Sequence, residues 1–264
     1  MRNKKITYTG LLDDVYYRPK EIDNREVIQL MRLAQTIPQR MLTFNGVIHV
    51  IDYTQRRHVA FSGQTKNLVG YNPEEVMNNG IDFVIDIFHK DDFKIYNESI
   101  FGKVTELLSK TPHEDHKDYL FTFTYRLKNA SGRWVNIYQQ GSYVTDPKTK
   151  LPLYSIALVA DISPIKKDTG MIFSIDKKRA EGIQFDYNNI SADFFYPDPE
   201  IARLSKRERE ILGRIADGLS SKQIAGKLYL SENTVVNHRK NILKKTNTKN
   251  VAELIRYAIE KGII

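Results

Sequence analysis

The chain has no cysteine, and that absence removes several chemistries at once. Disulfides, zinc held by thiolates, iron–sulfur clusters held by cysteine and a thiol nucleophile are all excluded, a usage that fits a reducing cytosol. Long apolar runs are also missing. The longest, Ile156-Ala157-Leu158-Val159-Ala160, is five residues, far from the roughly 20 that a spanning helix needs. Met1-Arg2-Asn3-Lys4-Lys5 leads into no apolar signal core, so the sequence predicts neither membrane insertion nor export. With only 14 Gly and 9 Pro, the chain is neither collagen-like nor of low complexity.

What is present is a folding composition, 41% hydrophobic and 11% aromatic over 264 residues, enough for about two domains. The net charge of +8 is unevenly placed. Of 40 Lys+Arg and 32 Asp+Glu, residues 203–264 hold 14 and 6, leaving 26 of each for residues 1–202. A neutral body therefore carries a basic module, whose expected partner is a polyanion.

Residues 1–40 form an N-terminal helical segment in this reading. Ile22, Val27, Leu30, Met31 and Ala34 recur at helical spacing over 20–36, and Pro38 stops the run. From Met41 the helical period ends and β-branched and aromatic residues gather in strand-length runs. Runs at 43–53 and 58–62 predict strands, with Asn45-Gly46 as a bulge or turn. Asn72-Pro73 starts a short helix that Asn79-Gly80 ends, and a longer helical pattern covers 91–108. Strands return at 119–127, 133–143 and 154–162, the first two joined by a turn at Gly132. Helices set inside a run of antiparallel strands cover one face of the sheet, so residues 41–163 are expected to be an α+β domain with a five-stranded antiparallel sheet. Residues 164–202 form a connector, in which 171–175 and 183–187 can pair as a hairpin and Phe194-Phe195-Tyr196 is too aromatic to stay freely solvated.

Gly70-Tyr71-Asn72-Pro73-Glu74-Glu75, Phe88-His89-Lys90-Asp91-Asp92 and Tyr125-Arg126-Leu127-Lys128-Asn129-Ala130-Ser131-Gly132-Arg133-Trp134-Val135 make residues 41–163 resemble a PAS domain, although Lys90 stands where that family more often has Pro. The resemblance implies a sensory or dimerising module with any ligand held between helices and sheet. No residue is assigned to such a ligand. The alternative is a ligand-free dimerisation or protein-docking platform, and the absence of cysteine excludes a flavin–cysteinyl photoadduct.

In residues 203–264, Ser205-Lys206-Arg207-Glu208 has capping-box spacing, and Ile211, Leu212 and Ile215 give the following helix an apolar face. Ser220-Ser221-Lys222-Gln223 repeats the pattern before a short helix, Tyr229-Leu230-Ser231 turns the chain, and a third helix follows. A fourth covers 250–261. Two short helices joined by a three-residue turn inside a basic four-helix bundle are a helix-turn-helix arrangement. At about 100° per residue, Val235, His238, Arg239 and Ile242 fall on one side of the third helix; Asn233, Asn237, Lys240 and Lys244 fall on the other, with Val236 on the flank. A stripe of amides and ammonium groups suits the major groove, where Asn pairs with adenine and Lys donates to guanine.

The strings Leu204-Ser205-Lys206-Arg207-Glu208-Arg209-Glu210-Ile211-Leu212, Gly218-Leu219-Ser220-Ser221-Lys222-Gln223-Ile224-Ala225 and Leu230-Ser231-Glu232-Asn233-Thr234-Val235 resemble the LuxR-type (GerE-like) DNA-binding domain. Thr246 and Val251 replace its usual Leu and a common Arg. The resemblance implies base-facing roles for Val236, Asn237 and Lys240, and backbone contacts from Lys222, Thr234, Lys244 and Lys245. It also implies that the fourth helix pairs two domains, placing Val251, Leu254, Tyr257 and Ala258 at a dimer face.

Other chemistry is weaker. His113-Glu114-Asp115-His116 lacks a third distant ligand and reads as a solvated turn; His89 belongs to a turn; His49 and His58 face a core or a pocket, with a structural role preferred over haem ligation. No phosphate loop or nucleophile elbow occurs, so no enzyme, metal or certain cofactor is expected. The expected protein is a cytoplasmic, homodimeric, sequence-specific transcriptional regulator. Its expected partners are double-stranded DNA and a second copy of itself, with RNA polymerase as a candidate and no membrane.

Overall fold

A computed structural model describes residues 6–16, 46–62, 65–166, 168–178, 187–197, 203–260 and 263. The helix expected over 20–36 lies outside them. The chain divides into two compact units, Met1–Lys166 with Ile172–Asp193, and Lys167–Met171 with Phe194–Ile264.

The first unit is built on β1 (Gly46–Asp52), β2 (Arg57–Ser62), β3 (Tyr119–Lys128), β4 (Trp134–Thr145) and β5 (Pro152–Asp161). The strand order is β2-β1-β5-β4-β3, extended beyond β3 by β6 (Met171–Lys178) and β7 (Tyr187–Phe195). The expected five strands are thus present within a sheet of seven. The addition has a plain cause. β3 would otherwise present a free edge, and Phe173 and Ile175, both buried at period two, pair with Phe123 and Phe121.

Between β2 and β3 come α2 (Thr65–Val69), α3 (Pro73–Ile87), α4 (Lys90–Ile95) and α5 (Phe101–Lys110), the last two joined by a π-helical turn at Tyr96–Ile100. Pro73 fits the first turn of α3 because that position needs no N–H donor. Gly80, with φ +69°, breaks α3, and a Cβ there would lie 2.7 Å from the Arg56 carbonyl oxygen. Alternate residues of the central strands, Phe121, Phe123 and Tyr125 on β3, Ile137 on β4 and Ala157 and Val159 on β5, are buried. Gly141 on β4 pairs with Ala157, where a Cβ would come within 2.2 Å of the Ile156 carbonyl oxygen.

An additional helix, α1 (Tyr8–Tyr16), precedes the sheet. It buries Tyr8, Leu11 and Leu12. The Tyr8 ring sits edge-on to Tyr96 and Phe101, with centroids 5.1 and 5.2 Å away.

The second unit holds α6 (Lys206–Ala216), α7 (Ser221–Leu228), α8 (Glu232–Lys245) and α9 (Val251–Glu260). Ile211, Leu212, Ile215, Ile224, Val235 and Ile242 are buried in one cluster with Leu204, Ala225, Leu254 and Ala258.

Candidate nucleic-acid interface and a buried histidine pair

Both capping boxes form. The Glu208 N–H donates to Ser205 Oγ at 3.2 Å while the Ser205 N–H donates to Glu208 Oε2 at 2.7 Å. Ser220 and Gln223 repeat the exchange at the start of α7. Ser205→Ala should cost about 1 kcal/mol, measurable as faster amide exchange in the first turn of α6.

Tyr229 closes α7 in the left-handed region, at φ 54°, and turns the chain into α8. There Ser231 Oγ accepts from the Thr234 N–H at 3.1 Å. With α8 anchored by buried Val235 and Ile242, Asn233, Asn237, Lys240 and Lys244 are left exposed on its outer side. Val236 and Thr234 are half-buried, and Lys222 is exposed near the start of α7. His238 is half-buried as well.

Lys245 is differently placed. Its Nζ lies 2.6 Å from Oε2 of Glu208, a carboxylate only 4% exposed. Burial pushes that carboxyl up, but the hydrogen bonds from Lys245 and Ser205 outweigh it, and the group titrates below its usual range. Lys245 therefore ties α8 to α6. Thr246 is buried, its hydroxyl donating to the Ile242 carbonyl at 2.8 Å.

The dimer face expected on α9 needs correction. Leu254 and Ala258 are buried in the module's own core, with exposures of 1% and 0%, and are unavailable to a second copy. Val251 is half-buried against the same cluster and Tyr257 is half-buried, while Ile259 is 63% exposed. A four-helix bundle of this size has so little interior that α9 must supply part of it.

In the aromatic connector, the Arg209 guanidinium of α6 lies 4.1 Å from the Tyr196 ring centroid. Phe194, by contrast, is 65% exposed.

The first unit carries a feature the sequence did not single out as a pair. His49 of β1 and His58 of β2 are both buried, with ring centroids 5.4 Å apart. His49 Nε2 and both ring nitrogens of His58 have no hydrogen-bond partner. Burial pulls both imidazoles down, His49 to about 4 and His58 to about 3. Two cavities adjoin them. One, of about 50 Å³, is also lined by Tyr8, Tyr53, Ile81 and Tyr96. The other, of about 60 Å³, is also lined by Phe61, Leu68, Val76 and Ile87. His49, His58, Val84 and Tyr125 are walls of both.

His89, His113 and His116 have partners. His89 precedes α4, its Nδ1 3.2 Å from Arg126 Nη2. His116, expected in a solvated turn, is instead buried: it donates to the Leu108 carbonyl at 2.9 Å and accepts from the Thr145 hydroxyl at 2.6 Å. Its partners lie at the end of α5 and the end of β4, contacts that a polar local sequence does not reveal.

Residues 202–258 match the family of bacterial regulatory proteins of luxR type. The C-terminal module is a LuxR-family domain. Residues 58–156 match the PAS fold, so the helix-covered sheet is a PAS fold placed ahead of it. Among curated relatives, the oxygen regulatory protein NreC of Staphylococcus carnosus is 38% identical over 91 residues, 34% of this chain and 42% of that protein. The transcriptional regulatory protein MctR of Rhizobium johnstonii is 48% identical over 61 residues, 23% of this chain and 28% of that protein. The chain thus spans less than half the length of these relatives. Among solved structures, that of a phage VqmA–DPO complex is 15% identical, covering 91% of this chain and 89% of that one at a TM-score of 0.33. Among the described residues, no helix is long and apolar enough to cross a membrane, and no group of three or more His, Asp or Glu is placed to hold a metal ion.

Proposed function

We propose that this chain is a sequence-specific DNA-binding transcription regulator in which the LuxR-family domain reads a duplex and the PAS fold senses a chemical signal. The observation that carries the reading is the exposed stripe of α8, Asn233, Asn237, Lys240 and Lys244, held off the bundle by buried Val235 and Ile242. On this reading Asn237, Lys240 and the methyl groups of Val236 meet base edges, while Lys222, Thr234 and Lys244 meet phosphates. Lys245 contributes through its hold on α6.

The protein acts as a cytoplasmic homodimer without catalytic chemistry of its own, and RNA polymerase is the enzyme whose access it helps or hinders. Two α8 helices related by a two-fold axis impose an inverted repeat on the operator. On this reading Val251, Tyr257 and Ile259 of α9 meet the second copy. The sensor is then 41–163, the connector 164–202 and the DNA reader 203–264, with the N-terminal segment 1–40 ahead of them.

Full-length protein should bind duplex DNA with a steep salt dependence, each neutralised phosphate adding about −0.9 to the log–log slope. Asn237→Ala and Lys240→Ala should each cost about 1–3 kcal/mol on the operator and little on random DNA. Lys244→Ala should weaken both alike and flatten the slope. Titrations at several salt concentrations decide this, and an equal loss on both DNAs for Asn237→Ala would remove α8 from the groove. The sensor reading, rather than the ligand-free platform, is favoured by the unpartnered His49 and His58 nitrogens beside two cavities.

A further inference from the structure

Nearly all buried polar atoms in folded proteins have a hydrogen-bond partner, and leaving one without carries a free-energy cost. Three such atoms on two adjacent side chains are therefore a feature to be explained. The explanation must satisfy the chemistry of the pair and the space beside it.

Both imidazoles are neutral near pH 7, because burial holds His49 at about 4 and His58 at about 3. A neutral imidazole has one N–H donor and one bare nitrogen acceptor. His58, with both nitrogens unpartnered, thus offers a donor and an acceptor on one ring, and His49 Nε2 adds a third position. Among the residues lining the two cavities there is no Lys, Arg, Asp or Glu. A carboxylate, phosphate or ammonium would lose its hydration there with no opposite charge to replace it. A divalent metal ion would meet the same obstacle, with only two nitrogen ligands and no carboxylate.

Size narrows the choice further. Each cavity, at about 50 and 60 Å³, exceeds the roughly 10–15 Å³ one water needs and falls well short of the about 300 Å³ of a small drug pocket. Porphyrins, flavins and nucleotides are too large. Because His49 and His58 are walls of both cavities, a molecule in either one adjoins the unpartnered nitrogens.

We propose that the PAS fold binds a compact, uncharged molecule of about one ring that carries a hydrogen-bond donor beside an acceptor, such as a lactam or primary amide, held by His49 and His58 with its apolar part toward Phe61, Leu68 and Val76. This deepens the sensor reading and rests on it. Ligand binding satisfies imidazole nitrogens that otherwise stay bare, so the pair supplies both affinity and selection against charged molecules of the same shape.

The test uses full-length protein and no DNA. One-ring uncharged probes, 2-pyridone and benzamide, are titrated to millimolar concentration beside benzoate, toluene and Zn(II), with Tm and the histidine ring NMR signals as readouts. At least one lactam or amide probe should raise Tm progressively, as mass action requires, and shift the signals of His49 and His58. His58→Phe, which keeps the ring volume, should weaken that binding by about tenfold or more, the order expected for lost hydrogen bonds. Its Tm without ligand should be at or above that of the unaltered protein, which shows that the loss is not unfolding.

No response to either uncharged probe would mean that water alone fills the cavities and would overturn the proposal. So would a larger response to benzoate, toluene or Zn(II), or undiminished binding by both His58→Phe and His49→Phe. Because the readout contains no DNA, such a failure leaves the DNA-reading module standing. Conversely, a protein that binds the probe with unchanged operator affinity keeps this site and loses the sensor reading.

Discussion

Lowering the pH from 7 to 4 should destabilise the first unit by several kcal/mol, and replacing both His49 and His58 with Phe should remove most of that dependence. Burial places the folded values at about 4 and about 3, below the ordinary histidine value of 6.5. The unfolded chain therefore binds more protons than the folded one as the pH drops below 6.5. The stability is full above that value and falls through the acid range until the folded imidazoles themselves protonate. At about 1.4 kcal/mol per pH unit of separation, each ring contributes on the order of 3 kcal/mol. The neighbouring tyrosines do not confuse the reading, since burial holds Tyr53 and Tyr96 well above their usual range and uncharged.

The single tryptophan of the chain, Trp134, begins β4, so urea unfolding followed by its fluorescence reports this unit alone. At pH 7 the double variant should also be more stable by about 1–3 kcal/mol, because unsatisfied buried nitrogens are gone. Identical pH dependence in both proteins would show that the imidazoles are solvated.

The second large effect is expected at Asp92. Its carboxylate is 1% exposed and takes three hydrogen bonds from one residue, Arg126: from the backbone N–H at 2.9 Å, Nε at 3.0 Å and Nη2 at 2.5 Å. That residue links the first turn of α4 to β3, so the contact fastens the helical layer to the sheet. Asp92→Ala leaves the Arg126 guanidinium, 15% exposed, without its counter-charge. Breaking a buried pair from one side costs about 3–5 kcal/mol. Asp92→Asn keeps an acceptor and should fall between the two. Trp134 lies 4.7 Å from the His89 ring, beside this network, and its fluorescence midpoint in urea measures the loss. A change below about 1 kcal/mol would mean that water reaches the guanidinium and replaces the carboxylate.

The LuxR-family domain was the more legible of the two. Its helices begin at Ser205, Ser220 and Ser231 because a side-chain oxygen three residues before a free amide is a local device, complete within four residues. The same locality made the α8 stripe readable, since a helix of known pitch sorts its own faces. The strands of the PAS fold were readable as runs of β-branched and aromatic residues between turn signals, but not the burial of Thr122 and Thr124 on the other side of β3.

Contacts between distant residues were not readable. Nothing near Phe173 announces that it pairs with Phe123 on the edge of β3, and nothing near Tyr8 announces the aromatic layer it enters. Lys245 looked like one more cation on a basic helix until Glu208, 37 residues earlier, took its ammonium group. Leu254 and Ala258 looked surplus on an apolar helix because the interior volume of the bundle is a property of all four helices together.

The sequence by itself determined the period of each element, the caps that start the helices, the uneven charge and the amide–ammonium stripe of α8. Each is an interaction within a turn or two of chain, or a sum over composition. Only the tertiary structure decided that His49 and His58 are partners beside two cavities, that Asp92 serves Arg126 and that Lys245 serves Glu208. Those depend on which segments meet across the core, where low dielectric and exclusion of water set the energy of every polar group.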